Sequence, residues 1–209
     1  MTPVHHPCDD LLLDLAAGRL EHGPALVLDA HLGACAACRA AAGRLEAVGG
    51  ALLDALPDAE MAPDAVAHAL ARIETAPAPP TPARIEVGLP RMLAGERFGP
   101  RRWMAPGLWL RRLQDGPEAR FTTYLLHTSP GRQLPRHGHA GAEYVCVLEG
   151  GFSDVTGRYG VADFACGDEG LEHEPRAEAG AACLCLIATE GRLQMRGLIA
   201  RALQPLAGV

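Results

Sequence analysis

Apolar residues in the first third of the chain recur at the spacing of one helix face. Four segments show this period and end near Gly or Pro: residues 9–18, 24–32, 35–56 and 63–74. Asp9 and Asp10 are the N-cap candidates of the first segment. The third segment carries an apolar stripe of Leu45, Val48, Leu52 and Leu56, and the fourth carries one of Val66, Leu70 and Ile73. The pattern predicts four short helices.

The pattern changes after residue 76. Residues 76–82 read APAPPTP, which excludes a helix or a central strand and predicts an extended spacer. Beyond residue 85 the apolar runs are short and bounded by Gly, Pro or Asp, as at 108–110, 121–126, 144–148 and 183–188. This rhythm is typical of an antiparallel sandwich or barrel. We therefore predict an α+β chain with a helical domain at 1–76, a Pro-rich linker at 77–84 and an all-β domain at 85–209.

Composition narrows the setting of the protein. A hydrophobic fraction of 48% and a charged fraction of 21% are typical of a folded protein. Apolar runs stay short of the roughly 18 residues that span a bilayer, and the first ten residues, MTPVHHPCDD, do not resemble a secretion signal. We therefore expect a cytoplasmic protein with no membrane partner. Seven cysteines in such a chain indicate metal or redox chemistry before structural disulfides.

Charge is distributed unevenly along the chain. Residues 1–82 hold 11 acidic residues and 4 Arg, a net charge of −7, whereas residues 83–209 hold 14 acidic residues and 15 Arg, a net charge of +1. The acidic half suits a basic, DNA-binding partner, although ordinary solvated helix faces would give the same balance. Direct nucleic-acid binding by the helical half is disfavoured, because phosphate contacts need clustered basic residues.

The first candidate metal cluster is an H-x3-C-x2-C motif made of His31, Cys35 and Cys38. Zinc prefers a tetrahedron of thiolate sulfur and imidazole nitrogen, and C-x2-C can place two sulfurs on one ion. The candidates for a fourth ligand are His5, His6 and Cys8, of which we favour His6. Two thiolates and two neutral imidazoles balance the charge of Zn²⁺, so such a site can be buried. The alternative is two small core cysteines and a surface histidine.

The second candidate cluster begins with His137, His139 and Glu143. Side chains alternate along a strand, so these three residues are expected to face one side. With Gly131 and Gly150 they complete G-x5-H-x-H-x3-E-x6-G, which resembles the first motif of the cupin barrels, a jelly-roll type of fold.

The cupin resemblance also implies a further ligand from a second motif. The residues Gly170-Leu-Glu-His173 match its G-x2-H portion, so His173 is the implied fourth ligand. Asp168 stands where Pro is usual and Ala177 where Asn is frequent, so the later turn departs from the motif. Three His and one carboxylate suit zinc or another divalent transition metal.

Other cysteines have less specific interpretations. Cys183 and Cys185 share one strand face, as two core residues or as an oxidant-sensitive pair beside the cupin cluster. Cys146 and Cys166 lie in strand-like segments and are predicted to be core residues.

The order of the two clusters carries a family resemblance. Four helices with an upstream His and H-x3-C-x2-C resemble the zinc-binding anti-sigma family, and the added spacer and cupin barrel resemble the ChrR family of anti-sigma factors over the whole chain. The resemblance implies one-to-one binding of a group IV (extracytoplasmic-function, SigE-like) sigma factor and its release under singlet-oxygen stress through the cupin half. It implies a regulator and not an enzyme. The alternative is a metal-dependent cupin enzyme, such as a dioxygenase, with a helical dimerisation module.

Overall fold

The computed structural model describes residues 2–76, 93–114, 116 and 119–196. Within those ranges four helices precede twelve short strands. The helices are α1 (Asp9–Ala16), α2 (His22–Ala34), α3 (Ala36–Asp54) and α4 (Ala65–Thr75). The strands are β1 (Arg102–Ala105), β2 (Leu108–Arg112), β3 (Phe121–Thr128), β4 (His137–Gly138), β5 (Glu143–Glu149), β6 (Gly151–Asp154), β7 (Gly157–Gly160), β8 (Phe164–Gly167), β9 (Glu172–His173), β10 (Arg176–Ala177), β11 (Cys183–Glu190) and β12 (Gln194–Met195).

The four predicted helices are confirmed, with shifted ends. Cys8 occupies the N-cap of α1, so Asp9 and Asp10 lie in the first turn. Their carboxylates face the positive end of the helix dipole there, which explains their place without a capping role. Pro24 is the third residue of α2 and lies in the first turn, where a missing N–H breaks no intrahelical hydrogen bond.

The strands form three antiparallel sheets. The largest has the order β1-β2-β3-β11-β5-β8, and the two small ones have the orders β10-β6-β7 and β12-β4-β9. Side chains from the large sheet, such as Tyr124 and Val145, pack against Phe152 and Tyr159 of the second sheet. The described strands leave this arrangement short of a closed cylinder, but they form the predicted all-β half.

The central strand β11 of the large sheet is buried on both faces, which explains its uninterrupted apolar run. On β11, Leu184 and Leu186 pack outward into a cluster that contains α2 residues. The alternating Cys185 and Ile187 pack inward against the second sheet. A strand buried on both sides has no solvent face, so the sequence of β11 shows no polar alternation.

Helix α2 lies on the outer face of this sheet. Its buried Val27 and Leu28 belong to the same apolar cluster as sheet residues Leu125 and Leu186. The approach is close at Gly23, where an added Cβ would lie 2.1 Å from Oγ1 of Thr123. The helical and β halves therefore share one core. The predicted linker at 77–84 lies outside the described residues, so the domain bounds 1–76 and 85–209 stay a prediction.

The C-terminal part of the helical half is exposed to solvent, unlike α2. Among the described residues of α4 none is buried, and Val48 and Leu52 of α3 are also exposed. The two apolar stripes predicted from the sequence therefore exist on the helices. Leu45, at the start of the α3 stripe, packs against the core, whereas the rest of that stripe and the α4 stripe face outward in the isolated chain.

Candidate metal sites

The first site gathers one residue from the N-terminal segment and three from the junction of α2 and α3. His31 lies in the last turn of α2, Cys35 separates the two helices, and Cys38 lies in the first turn of α3. His6 reaches them from the segment before α1. One ligand atom from each of the four residues lies within 4.8 Å of the other three.

Distances within this cluster match a tetrahedral ion. Nδ1 of His6 lies 3.5 Å from Sγ of Cys35 and 3.3 Å from Sγ of Cys38. Zn–S and Zn–N bonds of about 2.3 and about 2.0 Å at tetrahedral angles put sulfur and nitrogen about 3.5 Å apart. The donors are therefore spaced as ligands of one small cation.

The histidine His31 is oriented as a ligand. Its Nδ1 donates to the carbonyl oxygen of Ala162 at 2.7 Å, so Nε2 carries the free lone pair. That Nε2 atom is buried and has no hydrogen-bond partner among the described residues. Burial lowers the pKa of His31, which favours the neutral, ligating form. A buried, unpartnered lone pair is costly unless a cation occupies it, so the residues fit a metal.

The cysteine Cys38 shows what the cation would change. Burial and the neighbouring Cys35 raise the pKa of Cys38 to about 11, so without a cation it stays a thiol. A bound divalent ion stabilises the thiolate instead.

The two other candidate ligands of this site lie elsewhere. Nδ1 of His5 lies 3.3 Å from Oδ2 of Asp163, and Cys8 is exposed at the N-cap of α1. The structure thus brings His6, and neither of these residues, to the cluster.

The second site gathers His137, His139 and His173, whose ligand atoms lie within 4.8 Å of one another. Strands β4 and β9 pair with His137 opposite His173, which brings the two Nε2 atoms to 3.1 Å. His139 follows β4, and both of its ring nitrogens are buried.

The tautomers in this cluster are set by acceptors outside it. Nδ1 of His137 donates to the carbonyl oxygen of Pro135 at 2.8 Å, and Nδ1 of His173 donates to Oδ2 of Asp154 at 2.6 Å. The two Nε2 lone pairs then face each other, an arrangement that needs a cation or a proton between them. Burial alone would raise the pKa of Asp154, but hydrogen bonds from His173 and Thr156 lower it to about 2.

The buried carboxylate of Glu143 joins this cluster. Its Oε2 lies 3.2 Å from Nε2 of His139 and 3.9 Å from Nε2 of His173, and its Oε1 accepts a hydrogen bond from Oγ1 of Thr189 at 3.2 Å. Burial opposes ionisation, yet the neighbouring histidines lower the pKa of Glu143. Three imidazoles and one ionised carboxylate form a donor set for a divalent transition metal.

Comparison with known proteins identifies the family. Residues 100–192 match the family model described as the ChrR cupin-like domain. The anti-sigma-E factor ChrR of Cereibacter sphaeroides is 38% identical over an alignment of 211 positions that covers 98% of each protein. The chain belongs to the ChrR family of anti-sigma factors. The crystal structure of Rhodobacter sphaeroides SigE in complex with the anti-sigma ChrR matches with a TM-score of 0.73 and 35% identity, over 90% of this chain and 100% of that one. This family consists of regulators, so the cupin fold here does not imply catalysis.

A cavity adjoins the second cluster in this ChrR-family chain. It has a volume of about 350 Å³, with His137, Glu143 and His173 in its wall and mostly apolar side chains elsewhere. Cys183 and Cys185 also line it, with their sulfur atoms 3.5 Å apart. The cavity is large enough for a small molecule to reach the cluster.

The remaining cysteines divide between core and surface. Cys146 is fully buried, as predicted, but the core prediction for Cys166 is wrong because its side chain is exposed on β8. Strand β8 is an edge of the large sheet, where Phe164 is buried and Cys166, two residues further along, is exposed to solvent.

In the described ranges, no helix has the length and hydropathy of a bilayer-spanning segment.

Sequence motifs did not indicate three residues that surround the clusters: Asp154, Ala162 and Asp163. Each acts through a hydrogen bond to a residue distant in the chain, so local spacing holds no signal for it. A search for Asp residues near strand ends would have included Asp154 and Asp163 without distinguishing them from ordinary turn residues.

Proposed function

We propose that this chain sequesters a group IV sigma factor, one per chain, and so acts as a negative regulator of transcription. The whole-length similarity to ChrR carries the proposal, because it includes both halves in the same order. ChrR was crystallised with SigE, and we assign a SigE-like partner to this chain on that basis. Sigma factors work with RNA polymerase, so the proposal places the protein in the cytoplasm.

The exposed apolar surface of α3 and α4 is the proposed contact with the sigma factor. Eight large apolar side chains are exposed on these helices and the turn between them: Val48, Leu52, Leu53, Leu56, Met61, Val66, Leu70 and Ile73. Large exposed apolar side chains in such number are typical of a protein interaction site. The acidic balance of the helical half suits a basic, DNA-binding partner.

Zinc is the proposed ion of the His6, His31, Cys35 and Cys38 cluster. Its role is to fix the junction of α2 and α3, and with it the direction in which α3 leaves the rest of the protein. A closed four-ligand site of two thiolates and two imidazoles is a structural zinc site, which contributes directly to folding.

The cupin half is the proposed site of release under oxidative stress, including singlet oxygen. Zinc or another divalent metal would be held by His137, His139, Glu143 and His173. The adjoining cavity supports this proposal, because an oxidant or its product could reach the cluster and the Cys183 and Cys185 sulfurs from it.

Co-expression of the full chain with a group IV sigma factor tests sequestration. We expect the two proteins to co-purify, and the Cys35→Ser, Cys38→Ser double variant to lose both the partner and about one equivalent of zinc. Cys8→Ser is the matched control, since Cys8 is an exposed cysteine outside the cluster. If the double variant still silences the sigma factor, binding of the partner does not require zinc at this cluster.

Release is tested separately with His137→Ala, His139→Ala. This variant keeps the helical half, so we expect it to bind the sigma factor and to hold it during singlet-oxygen exposure. The measurement is transcription from a sigma-dependent promoter before and after the stress. Normal induction would exclude the cupin metal from sensing.

A further inference from the structure

The segment 151–167, which comprises β6, β7, β8 and their turns, lies against both metal clusters. At one end Asp154 accepts the hydrogen bond from His173 of the cupin cluster. At the other end the turn between β7 and β8 contacts the N-terminal segment and α2. One short segment is therefore in contact with candidate ligands that lie more than a hundred residues apart in the sequence.

The β7–β8 turn holds the segment that carries His6. Oδ1 of Asp163 accepts hydrogen bonds from the backbone N–H of Val4 at 2.6 Å and of His5 at 3.0 Å. The backbone N–H of Phe164 donates to the carbonyl oxygen of His5 at 3.1 Å. The peptide before His6 is thus fixed from two directions by residues of the β half.

The same turn also orients His31. Ala162 adopts a left-handed conformation with φ of 68°, which a residue with a Cβ rarely adopts. Its N–H donates to the carbonyl oxygen of Val147 at 2.7 Å, and its own carbonyl oxygen accepts from Nδ1 of His31. Oδ2 of Asp163 closes the turn by accepting from the N–H of Gly160 at 2.8 Å.

Side chains connect the two ends of the segment. Oγ1 of Thr156 donates to Oδ1 of Asp154 at 2.6 Å, and the hydroxyl of Tyr159 lies 2.9 Å from Oγ1 of Thr156. The ring of Tyr159 contacts the ring of His5 with centroids 4.5 Å apart. The contacts are continuous from His173 to the residue beside His6.

We propose that the segment 151–167 positions ligands of both clusters and thereby couples the metal state of the cupin cluster to the metal affinity of the zinc cluster. Asp163 is the positioning residue for His6, and Tyr159 connects the two ends. Outer partners fix the orientation and tautomer of metal ligands, and coupling between two sites acts equally in both directions. The inference rests on the proposed zinc site.

The first test measures Co²⁺ affinity at the thiolate cluster of the full chain. Thiolate-to-cobalt charge-transfer absorption reports this cluster and not the His and Glu cluster. We expect Asp163→Ala to weaken Co²⁺ binding about 10- to 100-fold. Asp168→Ala is the matched control, because Asp168 also accepts a backbone N–H in a turn of the β half but is exposed, and bonds to Gly170.

If Asp163→Ala does not fold, two variants of Ala162 test the positioning role instead. Ala162→Gly keeps the left-handed turn and is expected to bind Co²⁺ normally, whereas the β-branched Ala162→Val cannot adopt it easily and is expected to bind more weakly. Equal affinity of Asp163→Ala and the unmodified chain, or of the two Ala162 variants, would overturn the positioning role. Absence of the charge-transfer band in the unmodified chain would instead overturn the zinc site, and this inference with it.

The second test measures coupling. His139→Ala removes a cupin ligand that lies off the contact path, and we expect it to change Co²⁺ affinity at the thiolate cluster by about 5-fold or more. In a Tyr159→Phe background, which keeps the ring on His5 but removes the hydroxyl, the same substitution should change affinity less than about 2-fold. Tyr144→Phe, an off-path tyrosine, should leave the full effect. An unchanged effect in Tyr159→Phe, or no effect in the unmodified chain, overturns the coupling.

Discussion

At the scale of single residues, both clusters use the same arrangement of protons. In each cluster a candidate ligand histidine donates its Nδ1 proton to an oxygen that is not itself a candidate ligand. The pairs are His31 with Ala162, His137 with Pro135, and His173 with Asp154. The donation leaves the Nε2 lone pair free and buried, and it resists rotation of the ring. We therefore expect the metal affinity of each cluster to depend on residues that do not contact the metal.

Removal of one such ligand gives the first prediction. His31→Ala deletes a buried nitrogen donor, so we expect the full chain to lose about one equivalent of zinc and to melt at a lower temperature. Metal analysis and a thermal scan measure both effects. His68→Ala is the control, because His68 is an exposed histidine on α4, outside both clusters. Full zinc content in His31→Ala would exclude His31 as a ligand.

The carboxylate of Asp154 gives a prediction on pH. Its pKa in the folded protein is about 2, below the ordinary value of 3.8, so it stabilises the fold above about pH 4 and loses that effect as the pH falls toward 2. We expect the metal-free chain to lose about 2 kcal/mol of unfolding free energy from this group across that window. Asp154→Asn should flatten the dependence in denaturant titrations at pH 4 and pH 2.5, whereas Asp168→Asn should not. An equally steep dependence in Asp154→Asn would contradict the assignment.

At the scale of elements, burial separates helices that look alike in sequence. α2 is buried on the sheet, whereas α4 and the second half of α3 present their apolar residues to solvent. Local periodicity indicates an apolar stripe in both cases, because it reports the spacing of residues and not what covers them. The exposed stripes are the surface that the proposed sigma partner would bury.

Charged substitutions on the apolar stripe of α4 should therefore weaken binding of the sigma factor and leave the fold unchanged. Leu70 and Ile73 are 56% and 71% exposed. We expect Leu70→Glu, Ile73→Glu to weaken sigma-factor binding at least about 10-fold, a loss of about 1.4 kcal/mol or more, because a charge would be buried in the complex.

Calorimetric titration of the purified sigma factor measures this affinity, and a thermal scan checks that the fold is unchanged. Val155→Glu is the matched control, since Val155 is 77% exposed on the β6–β7 hairpin, away from the stripe. Undiminished binding by the α4 variant would place the sigma-factor contact elsewhere.

At the scale of the whole molecule, the two halves are joined by a shared core and by polar side-chain contacts. Besides the apolar contact of α2 with the sheet, Nε of Arg120 lies 2.7 Å from Oε1 of Glu21, and Nε2 of His22 lies 3.0 Å from Oε2 of Glu96. The residues of the proposed zinc cluster are further joined to the β half through Asp163 and Ala162. A disturbance of the β half can therefore reach the helical half without passing through residues 77–92.

Removing part of the shared core tests this connection. Leu28 is fully buried between α2 and the sheet, so Leu28→Ala should cost about 2 to 5 kcal/mol of unfolding free energy. Both halves contribute to this apolar core, so they should unfold together in one transition, which the substitution moves to a lower denaturant concentration. Circular dichroism of the helices and fluorescence of the two tryptophans in the β half should report the same midpoint. Leu52→Ala, at a residue 66% exposed, should cost under about 0.5 kcal/mol. Two separate transitions in the unmodified chain would contradict the shared core.

The sequence alone predicts the features that depend on short stretches of chain. The four helices, the strand rhythm, H-x3-C-x2-C and H-x-H all depend on backbone geometry over a few residues, so their patterns predict the elements and the candidate ligands. The choice among His5, His6 and Cys8 was only a preference in the sequence, because all three lie within four residues and the chain between them can turn either way.

Only the tertiary structure decided which surfaces meet. In the folded chain Cys166 is exposed, α2 packs on the sheet and α4 is not covered. Asp154, Ala162 and Asp163 form hydrogen bonds to the candidate ligands or to the residue beside one of them. Each of these outcomes depends on contacts between segments far apart in the chain, where the summed packing of many side chains outweighs any local preference. The sequence by itself determined the types of ligand and the elements that carry them, and the fold determined how the two clusters are held and connected.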